Sequence, residues 1–158
     1  TIQLLEKKLG PVLVQMPPQF ERTDGMPLIQ SFVPTLKSTL KWTFEFRHPS
    51  WYTDEVYDYF QKFGYAFCLL DFKGVPRIDV VTAPFVYVRL IGDRKAIVKP
   101  NRVWNETFID RTDEIRWWSG KLKKFDRSGL DVYCYANNHY EGYAINTLEK
   151  FKGFLFSK

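Results

Sequence analysis

Five short apolar runs, separated by stretches with helical periodicity, limit this chain to few architectures. The runs are GPVLVQM (10–16), WTFEFRH (42–48), YAFCLLD (65–71), FVYVRLIG (85–92) and DVYCYANN (131–138). Three are almost continuously apolar, the pattern of parallel strands covered on both faces. Between them, Ile29, Phe32, Val33, Leu36 and Leu40 mark one face of a helix over 26–40, which Pro34 should kink or shorten. TDEVYDYFQKFG reads as a helix with Thr53 as N-cap, acids in its first turn and Gly64 as its stop. Ile115, Trp118, Leu122 and Phe125 stripe a helix over 109–125, and 142–151 form a last one. Strand and helix alternate, so the chain is expected to be a single α/β domain over 1–158 with a parallel sheet. The link FKGVPRIDVVTAP (72–84) is the exception. Its two prolines and one glycine leave little room for a crossover helix, and an irregular or short helical connection is expected.

Composition supports a packed core. Of 158 residues, 45% are apolar and 18% aromatic, and rings on this scale must be largely buried. A net charge of +5 suits an anionic partner, and equally a solubilising lysine surface. Cys68 and Cys134 each lie in an apolar run and read as buried free thiols, which fits a cytoplasmic protein. There is no CxxC motif or Cys/His cluster to hold structural zinc. No apolar run reaches membrane-spanning length, no signal-peptide pattern is present, and no membrane partner is expected. The chain opens on Thr1, as in a trimmed, processed or partial sequence.

The segments LGPVLVQMPPQF (9–20), FEFRHPSWY (44–52), YAFCLLD (65–71), TAPFVYVRLIG (82–92) and DVYCYANNHYEGYAINTLEKF (131–151) follow one another along nearly the whole chain. In that order the sequence resembles the DUF72, or YecE-like, family. The resemblance implies a TIM-barrel-like (β/α) fold. Family members are longer and open with strands that have no counterpart here. The resemblance therefore implies the C-terminal two-thirds of the domain: five parallel strands of an expected eight, with the barrel incomplete. Unpaired strand edges would then await the missing strands or another chain. Alone, the 158 residues are expected to aggregate, dimerise through an edge or need the absent segment. The family carries no agreed activity, and whether the chain is an enzyme stays open.

In such a barrel the working face lies at the C-terminal ends of the strands. Gln15, Glu45, Arg47, His48, Asp71, Arg89, Asp93, Asn137 and Asn138 fall there. Alternation along a strand puts Glu45 and Arg47 on one face and Phe44, Phe46 and His48 on the other. The charged face is expected to look into the lumen, with Arg89 and Tyr87, and Asn137 with Tyr133 and Tyr135. A catalytic reading takes Glu45, Arg47 and His48 as the reacting set. Glu45 is then the acid/base, Arg47 and Arg89 clamp an anion, and Asn137 orients it. Gln15, Trp51, Asp71 and Asn138 complete the ligand site. A structural reading makes Glu45 and Arg47 a satisfied ion pair, His48 a loop hydrogen bond, Trp51 packing and the asparagines turn residues. Glu45 and Asp71 could hold a hard divalent ion with waters. Ile91 stands where the family often has a histidine, so a multi-histidine metal site lacks support.

The segment GDRKAIVKPNRVW (92–104) carries Arg94, Lys95, Lys99, Arg102 and Trp104 beyond a strand end. Basic side chains beside an aromatic could track a phosphate backbone, or be a solvated loop. The glycines of a P-loop and the elbow of a serine hydrolase are both missing. Three functions follow: an anionic or phosphorylated ligand at the barrel mouth with hydrolase or lyase chemistry, a nucleic-acid-binding module, or a catalytically inert fragment.

Overall fold

The computed structural model describes residues 4–5, 8–97 and 103–156. Its strands are β1 (Val12–Gln15), β2 (Trp42–Glu45), β3 (Ala66–Phe67), β4 (Leu69–Phe72), β5 (Phe85–Gly92) and β6 (Asp131–Ala136). The helices among the described residues are α1 (Arg22–Phe32), α2 (Asp54–Phe63), α3 (Arg94–Ile97), α4 (Thr112–Arg127), α5 (Asn138–Glu141) and α6 (Ala144–Phe156). Every strand pairing is parallel, in two three-stranded sheets ordered β1-β2-β3 and β4-β5-β6.

The third apolar run is where the expectation of five strands gives way. Ala66 and Phe67 pair with β2, and the Cys68 amide still donates to the Phe44 carbonyl at 2.8 Å. From Leu69 onward the same run pairs with β5 instead. One continuous run thus becomes two strands in two sheets, because its two halves have different partners.

Local chemistry accounts for the helices. α2 carries Asp54 and Glu55 in its first turn and Lys62 in its last, matching the helix dipole. Gly64 ends it at φ 64°, a conformation that glycine adopts without strain. Thr53 is its N-cap residue but makes no side-chain cap bond. α1 starts earlier than its apolar stripe suggested and stops at Phe32. Pro34, which has no N–H to give to an α-helical ladder, lies in a short 3₁₀ turn over Val33–Thr35, whereas Pro27 is accommodated inside α1. The 72–84 link contains no helix and takes the irregular one of the two forms expected for it.

Burial is divided among three clusters. Phe44, Phe46, Phe67 and Trp51 pack with Ile29, Val56 and Phe60 from α1 and α2. Leu69, Val86, Val88 and Leu90 pack with Ile115, Trp118, Leu122 and Phe151 from α4 and α6. The third cluster, Ala66, Cys68, Leu70, Phe85, Tyr87 and Ile91, takes no residue from a helix. It lies on the opposite face of the strands. Ties across this face link strands that are not neighbours. Lys41, just before β2, meets Asp131 at the start of β6, and Gln15 of β1 meets Arg89 of β5 at 3.0 Å. Neighbouring strands are about 4.8 Å apart, so these reaches require the strands to curve toward this helix-free side.

Phe46 is fully buried against Trp51 (ring centroids 4.0 Å), Phe67 (5.5 Å) and Phe60 (5.7 Å). Phe46→Ala should therefore lower unfolding stability by about 3–5 kcal/mol. Phe32→Ala, at a 41% exposed position, should cost well under about 1 kcal/mol in the same urea titration.

Candidate functional site: a cationic cavity at the strand ends

Glu45 ends β2 on the helix-free face and is completely buried. A buried carboxylate needs partners, and it has two guanidiniums. Arg47 Nε donates to Oε1 at 2.6 Å, and Arg89 Nη1 donates to Oε2. The Gln15 amide oxygen accepts from both arginines, from Arg47 Nη2 at 3.1 Å and Arg89 Nη1 at 3.0 Å. The guanidinium of Arg47 also lies over the Phe72 ring, 5.4 Å from its centroid. Four residues, on β1, β2 and β5 and just beyond β2, thus form one network with two positive charges and one negative. Beneath it, burial and then the Glu45 charge push the Cys68 thiol well up, so Cys68 is a neutral core group. Burial likewise pushes the Tyr87 hydroxyl up to about 12.

Arg47 projects into a cavity of about 540 Å³ lined also by Phe72, Lys73, Ile91, Asp93, Arg94, Lys95, Asn137 and His139. Its walls are the segments that follow β2, β4, β5 and β6. Asp93 is occupied: Oδ2 accepts from Lys73 Nζ at 2.8 Å and Oδ1 from the Lys95 amide at 3.0 Å. His139, which sequence alone places in a polar turn, also lines the cavity. The Asn137 side-chain oxygen caps α5 by accepting from the His139 amide at 3.0 Å, and it lies 2.7 Å from His139 Nδ1. Burial, then the Arg94 charge, holds the His139 imidazole below its ordinary pKa. Trp104 packs edge-on to the same ring at 4.9 Å.

Gly92 makes this approach possible. Its φ is +73°, and a Cβ there would sit 2.4 Å from the His139 carbonyl oxygen and 2.6 Å from Tyr140 Cα. Only a bare backbone lets α5 seat on the end of β5.

Other residues expected at the site serve elsewhere. Asp71 points to the helix side, away from Glu45. Its carboxylate accepts from Trp118 Nε1 at 2.8 Å, Tyr140 Oη at 2.9 Å and Arg77 Nη2 at 3.0 Å. With Glu45 and Asp71 on opposite faces, each with its own donors, the two carboxylates do not share an ion. Among the described residues no cluster of three or more His, Cys, Asp or Glu could hold one. His48 faces away as alternation required. Its Nδ1 lies 2.8 Å from Ser50 Oγ, and its Nε2 3.7 Å from Glu21. Trp51 is fully buried and cannot stack on a ligand. It stacks on Phe46, and its Nε1 donates to the Phe20 carbonyl at 2.6 Å. Asn138 accepts from the Ala144 amide at 2.8 Å and joins α5 to α6. Lys99 and Arg102 lie outside the described residues, and no described helix is long and apolar enough to cross a membrane.

A parallel α/β fold with its cationic cavity at the C-terminal ends of the strands is thus the class defined by geometry. The chain matches the family described as "Protein of unknown function DUF72" over residues 1–157, and it belongs to that family. This match runs the length of the chain and does not single out the C-terminal two-thirds of a domain. Among solved structures it is similar to a DUF72 family protein from Thermotoga maritima, at 22% identity and a TM-score of 0.75, covering 98% of this chain and 60% of that one. Two structures of a DUF72 family protein from Enterococcus faecalis give TM-scores of 0.77 and 0.76, also at 22% identity, with 98% of this chain and 62% and 64% of those covered. The chain therefore spans somewhat under two thirds of the length of the structures it matches. No curated protein matches it.

Two substitutions test this construction. Glu45→Ala would leave Arg47 and Arg89 adjacent with no carboxylate between them. It should cost about 3 kcal/mol in urea unfolding with an unchanged slope. Gly92→Ala adds both a backbone clash and a strained φ. It should cost about 2 kcal/mol or more by the same measurement, whereas Gly120→Ala, where an added Cβ meets nothing within 4 Å, should be neutral or stabilising.

Proposed function

We propose that the strand-end cavity binds a small anionic ligand, most naturally one bearing a phosphate group. The observation that carries this reading is the charge balance of its lining. Arg47, Lys73, Arg94 and Lys95 border the cavity, and the one carboxylate among its described lining residues, Asp93, is already bonded to one of those lysines. Arginine forks and lysine ammoniums are the groups that hold phosphate oxygens. Glu45 acts in this reading as the post that fixes two guanidiniums. Both of its oxygens are occupied, which favours a positioning role over acid/base transfer, and hydrolase or lyase chemistry through Glu45 is the less supported extension. The finer architecture fits the same proposal. In a TIM-barrel-like assembly closed by further strands, this cavity would lie at the barrel mouth, where such proteins place their ligands.

Binding of inorganic phosphate, followed by calorimetry and by amide NMR shifts at Lys73, Lys95 and His139, tests the reading. Arg94→Ala should weaken binding about tenfold, the loss expected for one charge-assisted hydrogen bond. The nucleic-acid alternative rests on Arg94 and Lys95 being exposed. It predicts a different result: weak phosphate binding, but oligonucleotide binding that falls steeply with salt, at a slope of about −0.7 per phosphate contacted on a single strand. Absence of binding to either probe would favour an inert chain.

A further inference from the structure

Among the side chains that line the strand-end cavity, His139 is held by hydrogen bonds that fix which of its ring nitrogens can accept. The backbone amide of His139 can only donate, and it lies 3.0 Å from the Asn137 side-chain atom assigned as oxygen. That contact fixes the amide orientation, since the NH₂ end cannot accept. The ring Nδ1, 2.7 Å from the same oxygen, must therefore be the protonated nitrogen. In the neutral ring Nε2 then carries the lone pair. Among the described residues Nε2 has no hydrogen-bond partner.

The other described side-chain acceptors bordering this region already have donors. Asp93 is bonded to Lys73 and to the Lys95 amide, Asn137 to His139, and Gln15 and Glu45 to the two arginines. The charged groups that line the cavity with His139 are cationic apart from Asp93: Arg94 and Lys95 from α3, Lys73 beyond β4 and Arg47 beyond β2. Trp104 covers one side of the ring, and the neighbouring Tyr140 and Glu141 on α5 are directed to other partners. Burial, and then the Arg94 charge, favour the neutral imidazole, because both disfavour a positive ring.

Taking the anion site of the preceding section as given, we infer that the ligand is a phosphorylated compound carrying a free hydroxyl, and that His139 Nε2 accepts the hydroxyl proton in a hydrogen bond. A site built around an acceptor discriminates by leaving that acceptor unpaired when the hydroxyl is missing. His139 is thus a specificity residue, and Asn137 positions it by fixing its tautomer.

The test compares α-glycerophosphate, n-propyl phosphate and inorganic phosphate as probes on the intact chain. The wild type should bind α-glycerophosphate about tenfold more tightly than n-propyl phosphate. His139→Ala should bring that ratio to about one while changing inorganic phosphate affinity less than about threefold. A second readout needs no variant. Imidazolium cannot accept a hydrogen bond, so the preference should be present where His139 is neutral and lost as pH falls through its own titration, below the usual value of about 6.5. NMR of the His139 ring in the same samples locates that pH. The second ionisation of phosphate is shared by both esters and cancels in the ratio. Equal binding of the two esters by the wild type, a preference that survives His139→Ala, or one that ignores the His139 titration would overturn the inference and leave the anion site standing. Failure of all three probes to bind would overturn both.

Discussion

The Glu45 carboxylate, buried between the guanidiniums of Arg47 and Arg89, is the constraint around which the helix-free face is arranged. A bare carboxylate at that depth would cost several kcal/mol, and the two guanidiniums that satisfy it are themselves partly open to solvent. Satisfying all three pulls β1, β2 and β5 toward a common point. Gln15 adds an acceptor that both arginines share. The network is rigid because each member has more than one partner, and its surplus positive charge lies where the strands end. The Glu45 network thus supports the curvature of the strands and contributes to the cationic character of the cavity.

Two further buried carboxylates do similar work on the helix side. Asp71 ties β4 to α4 through Trp118 and to α5 through Tyr140. Burial, then the Asp71 charge, pushes the Tyr140 hydroxyl up, so it remains a donor. Glu141 is likewise buried and accepts from Thr147 at 2.7 Å and Lys150 at 2.6 Å, joining α5 to α6. Aromatic packing supplies the rest of the stability around β2, where Phe20, Trp51, Phe46 and Phe67 lie in a nearly continuous series of stacked rings. Such burial is the largest favourable contribution in a domain this rich in phenylalanine.

Much of this was legible locally. The limits of α2 follow from its first-turn acids and Gly64, and the end of α1 from Pro34, because caps and breakers act within one turn of the chain. Alternation placed Glu45 and Arg47 on one face and His48 on the other, since a strand's period of two is set by its own backbone. For Trp51 the sequence left packing and ligand stacking both open. The carbonyl it bonds belongs to Phe20, 31 residues away. The orientation of Asp71 was equally hidden, because its donors Trp118 and Tyr140 lie 47 and 69 residues away. Asn137 and His139 carry a local signal, a capping residue two positions before a histidine. Nothing local says that the pair borders a cationic cavity.

By itself, then, the sequence determined the strand–helix alternation, the parallel pairing, the breaks at glycine and proline, and which charges share a face. All of these depend on backbone periodicity and on neighbours within a few residues. Tertiary structure alone decided that the third apolar run divides at Cys68 between two sheets, and that Trp51 and Asp71 belong to the core side. It also decided that Arg47, Lys73, Arg94, Lys95 and His139, drawn from four separate strand ends, surround one cavity. Those outcomes depend on which distant group satisfies each buried ring, carboxylate or amide, and that partner exists only after the strands have assembled.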